Sequence, residues 1–328
     1  MTKPLPWQDD LWSDLIGRAR GGNLPHALLF SGSEGLGKAV LAEALAHSLL
    51  CQSPSAEGIA CGQCHGCGLL SAGTHPDLLQ VEPEEKGKTI PIDVIRGVSG
   101  FLTLKSHYGG QQVVIIKPAE AMNRFAANSL LKTLEEPTPD TLLMLITSQP
   151  SLLLPTIRSR CQQVVFHRPE ANSAKTWLDA QIANPGESDT LLALTGGAPL
   201  AALALHEAGG LEIRRNLAAE WVRVAEGKGD PLACAAQWSD LGLSKATHWL
   251  SSWVMDLIRL KSGADPVAMT NVDLRPQLQQ MVDRFDLPGL FAYLDQVSET
   301  TRWARGQLNA QLAMEDLMIS WSRQRRKP

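Results

Sequence analysis

No stretch of this 328-residue chain approaches the ~18 consecutive apolar residues of a membrane-spanning helix, and no apolar core of signal-peptide length follows Met1. A cytoplasmic location is expected, and with it reduced cysteines. A basic excess is missing too. The formal net charge of −4 argues against the chain as a whole wrapping nucleic acid and leaves only local basic patches for that role. No short internal repeat and no low-complexity segment is visible. Aromatic residues are few, 5% of the chain, yet seven of the nine tryptophans lie beyond residue 170. Cysteines number only six, and four of them fall between residues 51 and 67.

What is present is an ordinary globular composition, 44% hydrophobic and 20% charged, at a length that suits two domains with room for a small third. Up to about residue 168, apolar runs at 27–31, 78–82, 112–117, 142–147 and 162–166 alternate with helical patterns near 37–50, 91–104, 123–136 and 151–158. Strands alternating with helices imply a parallel α/β sheet. From 169 to 209 the apolar residues take helical spacing (Trp177, Leu178, Ile182; Leu191, Leu192, Leu194), broken at Gly196-Gly197. From 210 to 328 the chain reads as helix throughout. Leu250, Trp253, Val254 and Leu257 repeat at i, i+3, i+4 and i+7, as do Leu290, Tyr293, Leu294 and Val297; Met314, Leu317, Met318 and Trp321 follow the same spacing. This aromatic-rich stripe is expected to be helical core, with some members available to a partner.

Cys51, Cys61, Cys64 and Cys67 combine two overlapping C-x-x-C steps with a more distant thiol. That spacing suits tetrahedral Zn²⁺, and Gly62 and Gly66 supply the tight turns. A redox C-x-x-C leaves two thiols unexplained. The string Cys61-Gly-Gln-Cys64-His65 matches a c-type haem attachment site, a chemistry that requires export, and disulfides are disfavoured by the compartment. Structural zinc is the reading, with His65 or His75 replacing one cysteine as the variation. Cys234 reads as a small buried apolar residue.

Gly32-Ser33-Glu34-Gly35-Leu36-Gly37-Lys38 follows an apolar strand and opens a helix, as a phosphate-cradling loop must. The next residue should offer Mg²⁺ a hydroxyl, and Ala39 has none. The strand Val113-Val114-Ile115-Ile116 should end in acidic residues, and it runs into Lys117-Pro118. A positive charge where Mg²⁺ belongs repels the metal as well as failing to bind it. Lys38 itself persists, so weak phosphate or nucleotide binding stays open. The alternative is that the glycines and lysine only form the strand-to-helix turn.

Two further runs, Ala127-Asn128-Ser129-Leu130-Leu131-Lys132-Thr133-Leu134-Glu135-Glu136-Pro137 and Ile157-Arg158-Ser159-Arg160-Cys161, join the degenerate loop in one resemblance. With the cysteine module between them, they resemble the AAA+ clamp-loader family of bacterial DNA polymerase III over essentially the whole chain. The resemblance implies an AAA+ α/β domain with the zinc module (1–168), a small helical lid (169–209) and a helical collar domain (210–328). It implies partners: motor subunits (gamma or tau), delta, a sliding clamp and primed DNA. Within the family, the motor subunit carries Ser or Thr at position 39, Asp-Glu at 117–118 and a lid arginine at Leu200. Their joint loss points to the non-hydrolysing branch, with no intrinsic ATPase and nothing resembling a polymerase site. The resemblance gives Arg160 a role in trans, reaching a neighbour's ATP; Arg158 either assists or anchors the turn. An ATP-hydrolysing motor and a zinc-dependent nucleic-acid-binding adaptor are the rival functions. Asn123 is expected to cap its helix. Glu135 and Glu136 diverge around the helix axis and are expected to be a solvated end, and the basic tail Arg323-Gln324-Arg325-Arg326-Lys327-Pro328 reads as a frayed terminus, with nucleic-acid contact as the alternative.

Overall fold

The computed structural model describes residues 2–85, 87–108, 110–263, 269–303 and 309–324. Residues 325–328 of the basic tail lie outside that set. The described chain divides into two compact units, residues 1–177 with 197–201, and residues 178–196 with 202–328.

The first unit is built on five parallel strands: β1 (Ala27–Ser31), β2 (Leu78–Val81), β3 (Gln112–Ile116), β4 (Thr141–Thr147) and β5 (Gln162–Val165). Their order across the sheet is β2-β3-β4-β1-β5, so β1 is flanked by β4 and β5, and β5 is an edge. The inner strands read as unbroken apolar runs because both of their faces are covered. Leu28, Phe30, Val113, Ile115, Leu142 and Met144 point to one face, packed by α1 (Asp9–Arg20) and α2 (Lys38–Leu50). Leu29, Val114, Ile116, Leu143 and Leu145 point to the other, packed by α4 (Ile92–Leu102) and α5 (Arg124–Glu135). The short α3 (His65–Ser71) lies between α2 and β2 in the chain, and α6 (Pro155–Arg158) leads into β5. Asn123 caps α5 as expected, its side chain accepting from the Ala126 N–H at 2.8 Å. The α7 helix (Ala171–Asp179) up to Trp177 and the start of α9 (Pro199–Glu207) complete this unit.

The second unit is helical, with α8 (Ser188–Leu194), α10 (Gly210–Glu226), α11 (Pro231–Ser239), α12 (Leu243–Lys261), α13 (Arg275–Met281), α14 (Leu287–Trp303) and α15 (Ala310–Arg323). α11 packs on α15, and α12 on α14. The aromatic stripe is the core here. Trp221 stacks on Trp321 with ring centres 4.2 Å apart, Trp253 meets Trp221 and Trp238, and Phe285 and Tyr293 close on Trp321. Trp303 is the exception, exposed on the outside of α14. Cys234 is buried beside the Met318 sulfur, as its apolar surroundings predict. A polar network that no periodicity signals also lies inside: fully buried Arg214 bonds Asp273 and Asn271, and Asp256 accepts from the Asn271 N–H and from Arg259. No single described helix is long and apolar enough to cross a membrane.

Candidate functional site

The loop between β1 and α2 has the shape of a phosphate cradle, and the chain itself engages its lysine and its carbonyls. Lys38 is only 6% exposed, and its ammonium donates to the Gly32 carbonyl (2.8 Å), the Ser33 carbonyl (2.7 Å) and Ser148 Oγ (3.0 Å). An ammonium has three donors, and all three are used. Burial pulls the Lys38 ammonium below its ordinary value, against the attraction of Glu120 and Glu34. Gly35 and Gly37 take positive φ, 80° and 83°, and both are pressed by other segments. A methyl at position 35 would lie 2.5 Å from the Ala201 Cβ, and the Leu200 N–H donates to the Gly35 carbonyl at 3.1 Å. A methyl at position 37 would lie 2.4 Å from the Leu5 side chain, and buried Gln8 donates to the Leu36 and Gly37 carbonyls. Trp7 adds a second bond to the Leu36 carbonyl, from its indole N–H.

The position at the end of β3 is equally occupied. The parallel register pairs Val81 with Ile116, which brings Glu82 beside Lys117. The Lys117 ammonium lies 3.1 Å from Glu43 of α2 and 3.3 Å from Glu82. Burial alone would lower its affinity for a proton, but the two carboxylates outweigh it and hold Lys117 above its ordinary value. Ala39 turns its methyl toward the core face carrying Leu28 and Phe30. A cation of the protein's own sits between carboxylates at the end of β3, and neither metal-ligand position offers an oxygen.

Arg160 follows α6 at the edge strand's entrance and is exposed. Its Nη2 lies 2.6 Å from Glu135 at the end of α5, and its Nη1 donates to the Thr156 carbonyl at 3.0 Å. Arg158 is exposed beside it. Cys161 instead turns into the core with Leu153 and Ile157, where burial pushes its thiol up to about 12. Glu135 and Glu136 do not converge, and the partner of Glu135 is Arg160.

The four cysteines meet. The sulfurs of Cys51, Cys61, Cys64 and Cys67 all lie within 4.8 Å of one another. The Cys51–Cys64 and Cys61–Cys67 separations are both 3.9 Å, close to the ~3.8 Å edge of a tetrahedron with ~2.3 Å metal–sulfur bonds. Four backbone N–H groups, of Cys61, Gly62, Cys64 and Cys67, point at these sulfurs and favour their thiolate form. Burial works against the Cys64 thiolate, but the N–H groups of Cys67 and Gln52 outweigh it and hold the thiol at about 6, while burial pushes Cys67 up to about 12. The donor set fits a metal dication, which would let all four sulfurs ionise together. Neither histidine joins it. The His65 ring meets the Tyr108 hydroxyl, and His75 accepts from the Asp77 N–H.

Two family models cover most of the chain. One described as DNA polymerase III, delta subunit, matches residues 7–170, and one described as DNA polymerase III, delta subunit, C terminal, matches residues 208–323. The DNA polymerase III subunit delta′ of Pseudomonas aeruginosa is 40% identical over 326 residues, covering 98% of each chain. The chain belongs to the DNA polymerase III delta′ family. The delta′ subunit of Escherichia coli K12 is 33% identical, over 96% of this chain and 94% of its own. A DNA polymerase III subunit tau from Salmonella typhimurium is 32% identical over 171 residues, 49% of this chain and 26% of its own. A crystal structure of a DNA polymerase III gamma subunit-related protein from Thermotoga maritima superposes with a TM-score of 0.50 at 18% identity, over 97% of this chain and all of that one. That likeness concerns the fold: an AAA+ parallel five-stranded sheet followed by helical domains.

Sequence reading missed Gln8, Leu5, Glu43 and Ser148, and it took Glu135 for a solvated helix end without its Arg160 partner. Each acts through a neighbour more than twenty residues away along the chain. A polar residue in an otherwise apolar helical stretch, as Glu43 is in α2, was the one available signal.

Proposed function

We propose that this delta′-family chain is the non-hydrolysing subunit of the DNA polymerase III clamp loader, and that Arg160 acts in trans on a neighbouring subunit's ATP. It works in DNA replication with gamma or tau motor subunits, delta, a sliding clamp and primed DNA. Residues 1–168 form the AAA+ domain, 169–209 the lid and 210–328 the collar that joins the other subunits. Zinc on Cys51, Cys61, Cys64 and Cys67 holds the 51–67 module as a structural cross-link; when bound it supplies folding free energy to that loop.

The observation that carries the reading is the engagement of both lysines. Lys38 spends two of its three donors on its own loop and the third on Ser148, and Lys117 stands between Glu43 and Glu82 where a metal would be held. A site with no metal ligand and a committed lysine cannot stabilise the charge that develops on a transferring phosphoryl group. The exposed guanidinium of Arg160 is suited to a phosphate by its planar fork.

Loaders reconstituted with Arg160→Ala test this. Assembly is expected to be unchanged while clamp- and DNA-stimulated ATP hydrolysis falls. Arginine fingers contribute on the order of 10³–10⁵ at the site they serve. Only one site faces this subunit, so the rate per assembly drops partially unless firing is strictly coupled. Arg160→Lys keeps the charge, loses the fork and rescues poorly. Full stimulated hydrolysis and clamp loading by a normally assembled Arg160→Ala loader would make Arg160 a surface residue only.

A further inference from the structure

We propose that Glu135 is a resting anion that keeps Arg160 in its own subunit and that a neighbour's phosphate must displace. This rests on the trans-acting reading of Arg160. A guanidinium has two edges that can grip a phosphate with paired N–H groups, Nε–Nη2 and Nη1–Nη2. Both edges include Nη2, the nitrogen 2.6 Å from Glu135. Nη1 is taken as well, by the Thr156 carbonyl at 3.0 Å and Ser159 Oγ at 3.4 Å. Each terminal nitrogen carries two N–H groups, so the contacts leave some of them unspent, but the Glu135 carboxylate stands at the nitrogen shared by both edges, and a phosphate gripping either edge must displace that charge.

Both partners stand on rigid supports. α5 is rooted by Ala126, Ala127, Leu130 and Leu134, and the turn before Arg160 by Ile157, with Cys161 buried behind it. The fold thus sets their separation. Glu135 is the last residue of α5, where the helix dipole disfavours a carboxylate, so the local helix does not account for its charge. The pair is also half exposed, at 36% for the arginine side chain and 50% for the glutamate. An exposed ion pair is shallow enough for a phosphate to replace.

The test is ATP hydrolysis by the reconstituted loader carrying wild-type chain, Glu135→Gln, Arg160→Ala or both changes, with and without clamp and primed DNA. Glutamine keeps the shape and removes the charge. An exposed pair holds its partner by a factor of about two to five, so Glu135→Gln should raise the unstimulated rate about two- to fivefold and narrow the ratio of stimulated to unstimulated turnover. A thermal midpoint unchanged from wild type would set that gain apart from a folding effect. The double variant should behave as Arg160→Ala alone. If Arg160→Ala lowers stimulated turnover but Glu135→Gln leaves the unstimulated rate unchanged, the resting-anion role is overturned and the trans arginine survives. A rise that persists in the Arg160→Ala background overturns it as well, because Glu135 then acts through something else. Full stimulated turnover by Arg160→Ala removes the trans arginine and the resting anion together.

Discussion

Replacing Lys38 with alanine should cost this chain stability, whereas in a working ATPase the same change costs catalysis. The ammonium is nearly buried and makes three hydrogen bonds, two to the loop's own carbonyls and one to Ser148 beyond β4. Hydrogen bonds to a charged group contribute about 1.5–3 kcal/mol each before the cost of burying that charge is subtracted. The burial that lowers the proton affinity of Lys38 is that cost, so the net loss on removal should be about 1–3 kcal/mol. In a unit of this size each kcal/mol moves the unfolding midpoint by about 2–4 °C, which predicts a drop of roughly 2–12 °C. Calorimetric unfolding of the isolated chain, with and without Mg-ATP, reads both sides of the question. A ligand at a hundred times its dissociation constant adds about 2.7 kcal/mol to the folded state. For its ammonium to reach a phosphate, Lys38 must first give up bonds to the Gly32 and Ser33 carbonyls and Ser148, and no ligand for Mg²⁺ offsets that loss, so millimolar Mg-ATP should move the midpoint far less. If Lys38→Ala unfolds at the parent temperature while Mg-ATP raises the parent by several degrees, the lysine is free for phosphate and the engaged-lysine reading is wrong.

Restoring the metal ligands by Ala39→Thr with Lys117→Asp should not create an ATPase in the isolated chain. Lys38 stays bound to the Gly32 and Ser33 carbonyls and Ser148, and a third carboxylate beside Glu43 and Glu82 costs stability; turnover in a highly pure sample would show that only the ligands were missing. The cysteine cluster predicts that purified chain carries zinc and that Cys64→Ser loses it to a chelator the parent withstands. Proteolysis should then cut first within 51–67, because metal affinity is folding free energy for that loop. Metal analysis finding no zinc in parent protein purified without chelator would count against the site.

The order and type of the elements were legible because each depends on nearby residues. Apolar runs too short for helices gave the five strands, and none was misplaced by more than a residue or so: the run at 162–166 is β5 at Gln162–Val165. α1 was not expected, although Trp12, Leu15 and Ile16 mark its buried face at helical spacing. The tryptophan stripe identified the helical core, but periodicity did not separate buried Trp321 from exposed Trp303. The polar network around Arg214 left no trace, since an arginine on a helix reads as solvated whatever faces it.

The sequence by itself determined which chemistry is missing. Alanine at 39 and lysine at 117 cannot ligate a metal in any fold, and four thiols at that spacing can meet without help from the rest of the chain. Tertiary structure decided what replaces the lost chemistry: Ser148 for Lys38, Glu43 and Glu82 for Lys117, Gln8 and Ala201 against the loop, and Glu135 for Arg160. These partners stand as far as 110 residues apart in the chain. Strand order and register bring them together, and neither is written in the spacing of any one element.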